Sequence, residues 1–257
     1  MDIVIIGTGN TATILGKKFK AAGHQIVQVF GRNSKSASEL AYELDSESTN
    51  YWSVVNKGAD IYLVAVSDMA IEEVLTELQL PQKPIVHTAA SVPINILKRF
   101  SSHYGVFYPL QSLKSGVLES PEIPILIDAN DQETKKLLKA LAQSISSKVI
   151  EANDEERAKL HLAAVVCNNF VNHLYHLVHD YCNEEGLNFK LLLPLIQETT
   201  NRLDLNNPSQ TQTGPAIRND STTIKKHLTF LDQHPRLRRL YEVFTQSIKN
   251  TSINSSL

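Results

Sequence analysis

Gly7-Thr8-Gly9-Asn10-Thr11-Ala12 stands between a short apolar run and a helical pattern. Glycines at the first and third positions allow a tight strand-to-helix turn and let the backbone approach a ligand. The helix that follows offers free N–H groups to an anion, and Ala12 still permits close packing of helix on strand. A pyrophosphate fits such a turn. Past the second strand the chain reads Gly31-Arg32-Asn33-Ser34-Lys35, with no carboxylate. An acid there would bind a free ribose 2′-hydroxyl; instead Arg32 can grip a 2′-phosphate as a fork, Ser34 can donate to it and Lys35 adds charge. Together the two segments predict NADP(H) as the cofactor.

Hydride transfer asks the protein for a held nicotinamide, a pocket over its face and a group that handles a proton. Val66 and Ser67 are expected to line the cofactor, and His87 and Ser91 to border its nicotinamide end, because ligands bind at the carboxyl ends of strands in an open parallel sheet. His161, Asn168 and Asn172 follow one another at intervals of seven and four residues. At ~100° per residue that aligns them on one helix face. His161, with an ordinary pKa of ~6.5, is the first candidate for proton transfer, and Asn168 shares its face. Tyr108 is the second candidate, Gln111 would orient a carbonyl or imine, and Asn172 and Arg218 are candidate substrate contacts. Each has a plainer reading: His161 as an interdomain or dimer contact, His87 as a satisfied buried histidine, Tyr108 and Gln111 as loop packing. His173, His176 and His179 drift by ~60° per step and do not converge, so no metal site is predicted.

The elements that must position these residues come in two kinds. Apolar runs at 3–6, 25–30, 61–66 and 84–87 alternate with helical patterns at 10–22, 35–44 and 69–78. That alternation predicts a Rossmann-type α/β fold, a doubly wound parallel sheet covered on both faces. Strand-like segments follow at 105–108 and 123–127, then an amphipathic helix at 134–144 and an edge strand at 148–151. From Asn153 the pattern turns all-helical. An uninterrupted helix is expected over 153–185, then helices at 189–203 (kinked at Pro194), 222–231 and 235–248, with a frayed polar tail over 250–256. This divides the chain into a cofactor domain, 1–152, and a helical domain for substrate and dimerisation, 153–257.

The chain has 257 residues, 42% of them apolar, and a formal net charge of −2. It can bury a sizeable core, and its charge offers nothing to attract a nucleic acid or an anionic membrane. A small-molecule substrate is the expected partner. No run reaches the ~20 apolar residues that cross a bilayer, and no basic leader opens the chain, so a soluble cytoplasmic protein is expected. Cys167 and Cys182 stand too far apart on one helix to pair. The stripe Leu160, Val171, Leu174, Leu177 and Val178 needs a covering surface, and a homodimer through the helical domain would provide it.

The chain resembles the superfamily of 6-phosphogluconate dehydrogenase, pyrroline-5-carboxylate reductase and deazaflavin-dependent NADP reductase. More narrowly, it is similar to a bacterial branch that joins a Rossmann-like domain to a helical domain of unknown function. The narrower match rests on His87-Thr88-Ala89-Ala90-Ser91, Gly105-Val106-Phe107-Tyr108-Pro109-Leu110-Gln111, His161-Leu162-Ala163-Ala164 with Asn168-Asn169, and Thr213-Gly214-Pro215-Ala216-Ile217-Arg218-Asn219-Asp220. The resemblance implies an NADP-dependent oxidoreductase, here a reductase of a small carbonyl or imine, or else an NADPH-binding sensor without turnover. Hydroxyacid dehydrogenases of the superfamily carry a Lys-x-x-x-Asn pair on the first long helix; here Ala163 stands four residues after Lys159, so that pair is absent and the resemblance does not imply their reaction.

Overall fold

Side-chain alternation along β1 (Asp2–Ile6) sets the layering. Ile3 and Ile5 enter one core, Val4 and Ile6 the other, and all four are fully buried. A strand buried on both faces reads as a continuous apolar run, which is why this one is legible in sequence. The computed structural model describes residues 1–78, 80, 82–114 and 122–254 and divides into two units, Met1–Val166 and Cys167–Leu257.

The first unit runs β1, α1 (Asn10–Ala21), β2 (Gln25–Phe30), α2 (Ser34–Leu44), β3 (Glu47–Thr49), β4 (Ile61–Val64), α3 (Ile71–Glu77), β5 (Ile85–His87), β6 (Tyr104–Pro109), β7 (Ile125–Ala129), α4 (Gln132–Gln143), β8 (Val149–Glu151) and α5 (Asp154–Ala164). Its eight strands form one sheet in the order β3-β2-β1-β4-β5-β6-β7-β8. All neighbours are parallel except β6 and β7. Leu15 and Phe19 of α1, Leu40 and Leu44 of α2, and Leu138 and Leu141 of α4 cover one face. Ile71, Val74 and Leu75 of α3 cover the other. The doubly wound architecture expected from the sequence is therefore present.

Register puts the site on one edge. Thr49, Phe30, Ile6, Val64, His87 and Val106 are successive partners across the sheet at its carboxyl end. The turns after Ile6, Phe30, Val64 and His87 thus leave side by side, and β6 continues past Val106 to Tyr108.

Three local expectations are corrected. β3 is an added strand: Glu47-Ser48-Thr49 has no apolar run, and pairing with β2 alone makes it extended. The helical run after Asn153 is interrupted, because α5 gives way to a π-helix, Val165–Phe170, before α6 (Val171–Glu184). Pro194 does not kink a helix; it stands in the first turn of α7 (Leu193–Asn201), where its missing N–H costs nothing, after a short 3₁₀ turn at Phe189–Leu192.

The second unit continues with α8 (Ser221–Phe230) and α9 (Pro235–Asn254), which carries the polar tail on as helix to Asn254. Division between the units falls later than the composition change at residue 153, because Arg157 and Asp154 bind α5 to the sheet-bearing unit. Within the second unit Leu177, Cys182, Ala216, Ile224 and Leu231 are buried, while Leu191, Leu195, Leu205 and Phe244 stay exposed. An apolar groove of about 460 Å³ opens among Leu174, Val178, Phe230, Leu237, Phe244 and Ile248.

Candidate active site

Gly7 has a φ of 125°, and a Cβ there would run into the Ala65 carbonyl oxygen. Only glycine fits a turn packed this closely against the end of β4. Gly31 meets the same demand from the neighbouring strand: its Cβ would lie 2.6 Å from Thr8 Cγ2. Between these turns lies a cleft of about 560 Å³. Its walls include Gly7, Thr8, Gly9, Asn10 and Thr11 of the first turn, Gly31, Arg32 and Asn33 of the second, and Val66 and Ser67 after β4, all of them expected cofactor residues. Gly9 is the N-cap of α1, and a Cβ there would point into open space with nothing within 4 Å. No side chain caps α1, and its first turn holds no acid. An open approach to a helix N-terminus beside an arginine is a donor set for a phosphorylated dinucleotide, so these residues fit NADP(H).

The remaining expected cofactor residues take other places. Ala12 is fully buried beneath the loop and serves the packing of α1. Asn33 also caps α2, accepting from the Ser36 N–H at 3.0 Å. Ser34 opens α2, and Lys35 points past the cleft to Glu39 at 3.9 Å. Arg32 has a partner that the sequence reading missed: Glu73, on α3, lies 3.5 Å away, both side chains being largely exposed. The stretch 31–35 holds no acid, yet the fold supplies one from forty-one positions downstream. Phe30, at the cleft wall, stacks on Trp52 with ring centroids 3.6 Å apart.

A second cluster is built at the ends of β5 and β6 with α5. The Tyr108 hydroxyl and His161 Nδ1 share a hydrogen bond of 2.9 Å, their rings edge to face. Burial and then the nearby Asp68 carboxylate push the Tyr108 phenol up, while Arg157 opposes them; the hydroxyl keeps its proton at neutral pH. His87 is completely buried, and its Nδ1 accepts from the Ala89 N–H at 3.2 Å. Burial, reinforced by Arg157 and only partly offset by Asp154 and the Pro93 carbonyl, lowers its pKa to about 4. His87 is therefore a neutral histidine that shapes the turn after β5, not a wall of the cofactor cleft, and Ser91 lies exposed in the segment beyond it. Gln111 folds back on its own turn, its Oε1 accepting from the Ser112 N–H at 2.9 Å.

Arg157 escaped sequence reading. Its guanidinium is 1% exposed and reaches the Ala90 and Val92 carbonyls and Asp154. The available signal was position, since Arg157 precedes His161 by one helical turn and so shares its face.

Asn168 and Asn172 follow the break between the two units. Both are exposed in the second unit, and the π-helix that holds Asn168 breaks the steady ~100° step that aligned them with His161. Arg218 is exposed in the second unit next to Asp220, which caps α8 by accepting from the Thr223 N–H. Cys167 is exposed and Cys182 buried. No helix among the described residues is long and apolar enough to cross a membrane.

Residues 2–91 match the family model described as NADP oxidoreductase, coenzyme F420-dependent, and residues 123–248 match a domain of unknown function, DUF2520. No curated protein matches the chain. Among solved structures, a Bacteroides fragilis protein named provisionally as an NADP oxidoreductase is 40% identical, over 97% of this chain and 98% of that one, with a TM-score of 0.89. A pyrroline-5-carboxylate reductase from Streptococcus pyogenes shares the fold at 14% identity, covering 97% of this chain and 98% of its own, with a TM-score of 0.66. So does an imine reductase from Myxococcus stipitatus in complex with NADP+, at 15% identity, 97% and 93% coverage and a TM-score of 0.66. The chain thus belongs to the NADP-dependent oxidoreductase family that joins a Rossmann domain of the coenzyme F420-dependent type to a DUF2520 helical domain.

Proposed function

We propose that the protein reduces a small carbonyl or imine with NADPH, and that Tyr108 and His161 deliver the proton. The observation that carries this reading is the Tyr108–His161 hydrogen bond, formed at the same sheet edge as the dinucleotide cleft. NADPH supplies the hydride when bound. Gly7, Thr8, Gly9, Asn10 and Thr11 hold its pyrophosphate, Arg32, Asn33 and Ser34 read the adenosine ribose, and Val66 and Ser67 line its path along the sheet. Tyr108, neutral at working pH, gives its hydroxyl proton to the substrate oxygen or nitrogen as the carbon accepts hydride, and His161 returns a proton through the shared hydrogen bond.

The S. pyogenes and M. stipitatus structures support an imine as readily as a carbonyl. Gln111 is proposed to orient the substrate, and Asn168, Asn172 and Arg218, all exposed, are proposed substrate contacts of the second unit. The helical unit is proposed to dimerise, with a second copy covering the apolar groove beside Leu174, Val178 and Phe244; a concentration-independent monomer in sedimentation would remove that part.

The test is a screen of NADPH oxidation, followed by absorbance, against pooled ketones, aldehydes and cyclic imines. Turnover lost in His161→Ala with NADPH affinity retained supports the reading. Silence across a broad pool, with NADPH still bound, favours a sensor.

A further inference from the structure

Arg157 sits at the start of α5 with 1% of its surface exposed. Its Nε donates to the Ala90 carbonyl at 3.0 Å, and its Nη2 to the Val92 carbonyl at 2.7 Å and to Asp154 at 2.6 Å. Asp154 in turn accepts the Ile94 N–H at 3.0 Å. Two residues one turn apart on α5 thus fasten the helix along the 90–94 segment, which leads away from the carboxyl end of β5. The N-terminus of α5 is itself locked by a reciprocal cap between Asn153 and Glu156. His161, one further turn along, inherits this placement.

A buried guanidinium is an expensive fastener, because removing a full charge from water costs several kcal/mol that neutral hydrogen bonds would not. Its compensation is incomplete as well. Asp154 is its one ion-pair partner among the described residues, and Nη1 has no hydrogen-bond partner there. His161 Nδ1, one turn along α5 from Arg157, shares the 2.9 Å hydrogen bond with the Tyr108 hydroxyl.

We propose that Arg157 is the positioning residue of the proton-delivering pair: it makes α5 and the 90–94 segment one body and so keeps His161 on Tyr108. The inference rests on the reading of Tyr108 and His161 given above, but its test needs no substrate, so the two can fail separately.

The experiment uses the full chain, labelled at tyrosine Cζ and histidine nitrogens for NMR. Tyr108 is assigned by its loss in Tyr108→Phe, and His161 by its loss in His161→Ala. Arg157→Met is expected to erase the hydrogen-bonded signature of His161 Nδ1 and to shift the Tyr108 Cζ resonance, with NADPH affinity unchanged within about twofold. Arg157→Lys keeps the charge and loses the fork, so the His161 signature weakens although the charge remains. A merely structural arginine would change the melting temperature and move neither resonance. Should Arg157→Met not fold, an Arg157→Lys protein with an unaltered His161 signature overturns the proposal. So does a folded Arg157→Met protein in which the His161 Nδ1 signature is unchanged.

Discussion

The Tyr108 hydroxyl lies 2.9 Å from His161 Nδ1, although the two residues are fifty-three positions apart in the chain. β6 delivers the phenol, α5 delivers the imidazole, and neither has another hydrogen-bond partner at that atom among those described. If the pair moves the proton, Tyr108→Phe and His161→Ala should each lower kcat by roughly 10²–10⁴-fold on whichever substrate the screen identifies. Their combined effect should fall well short of the product, because they act as a unit. NADPH affinity by fluorescence titration should stay within about twofold. Independent, multiplying losses would separate the two residues.

Arg32 should decide the cofactor. Arg32→Ala is expected to weaken NADPH by ~1.5–3 kcal/mol, tenfold or more, and to leave NADH nearly unchanged. Titrating both cofactors against both proteins measures this. Equal affinities for NADPH and NADH in the unmodified protein would contradict the role given to Arg32.

Glu73 works against that preference. It lies 3.5 Å from the Arg32 guanidinium, where it competes with a 2′-phosphate for the same fork. Both groups are well exposed, so the effect is modest: Glu73→Gln should tighten NADPH a few-fold, in keeping with the ~0.2–1 kcal/mol of an exposed pair. The gain should shrink as salt is raised. A looser NADPH complex would show that Glu73 holds Arg32 in its binding pose.

His87 predicts an acid sensitivity. Its native pKa is about 4 against an ordinary 6.5, so between those values the unfolded chain takes up a proton that the native protein refuses. Stability therefore falls as pH drops from 6.5 to about 4, by at most ~3 kcal/mol from this group, and falls no further below. Denaturant melts followed by the fluorescence of Trp52, the one tryptophan, would show it. His87→Gln should flatten the pH dependence across that window; an equal slope in both proteins would place the sensitivity elsewhere.

What the sequence determined by itself was local. Gly7 announces a tight turn after β1, and the apolar runs of β1, β4 and β5 announce a sheet buried on both faces, because such strands need no partner in sequence to be recognised. Residues 31–35 offer Arg32 and no acid, which is as far as that stretch of sequence reaches. Tertiary structure decided whatever depends on distant segments meeting. It made β3 out of Glu47-Ser48-Thr49 by pairing with β2, set Glu73 against Arg32 across the cleft, and joined Tyr108 to His161. It also broke the helical phase of Asn168 with a π-helix and buried Arg157 under the carbonyls of Ala90 and Val92. In each case the deciding energy lies in a contact between elements, which no periodicity within one element can report.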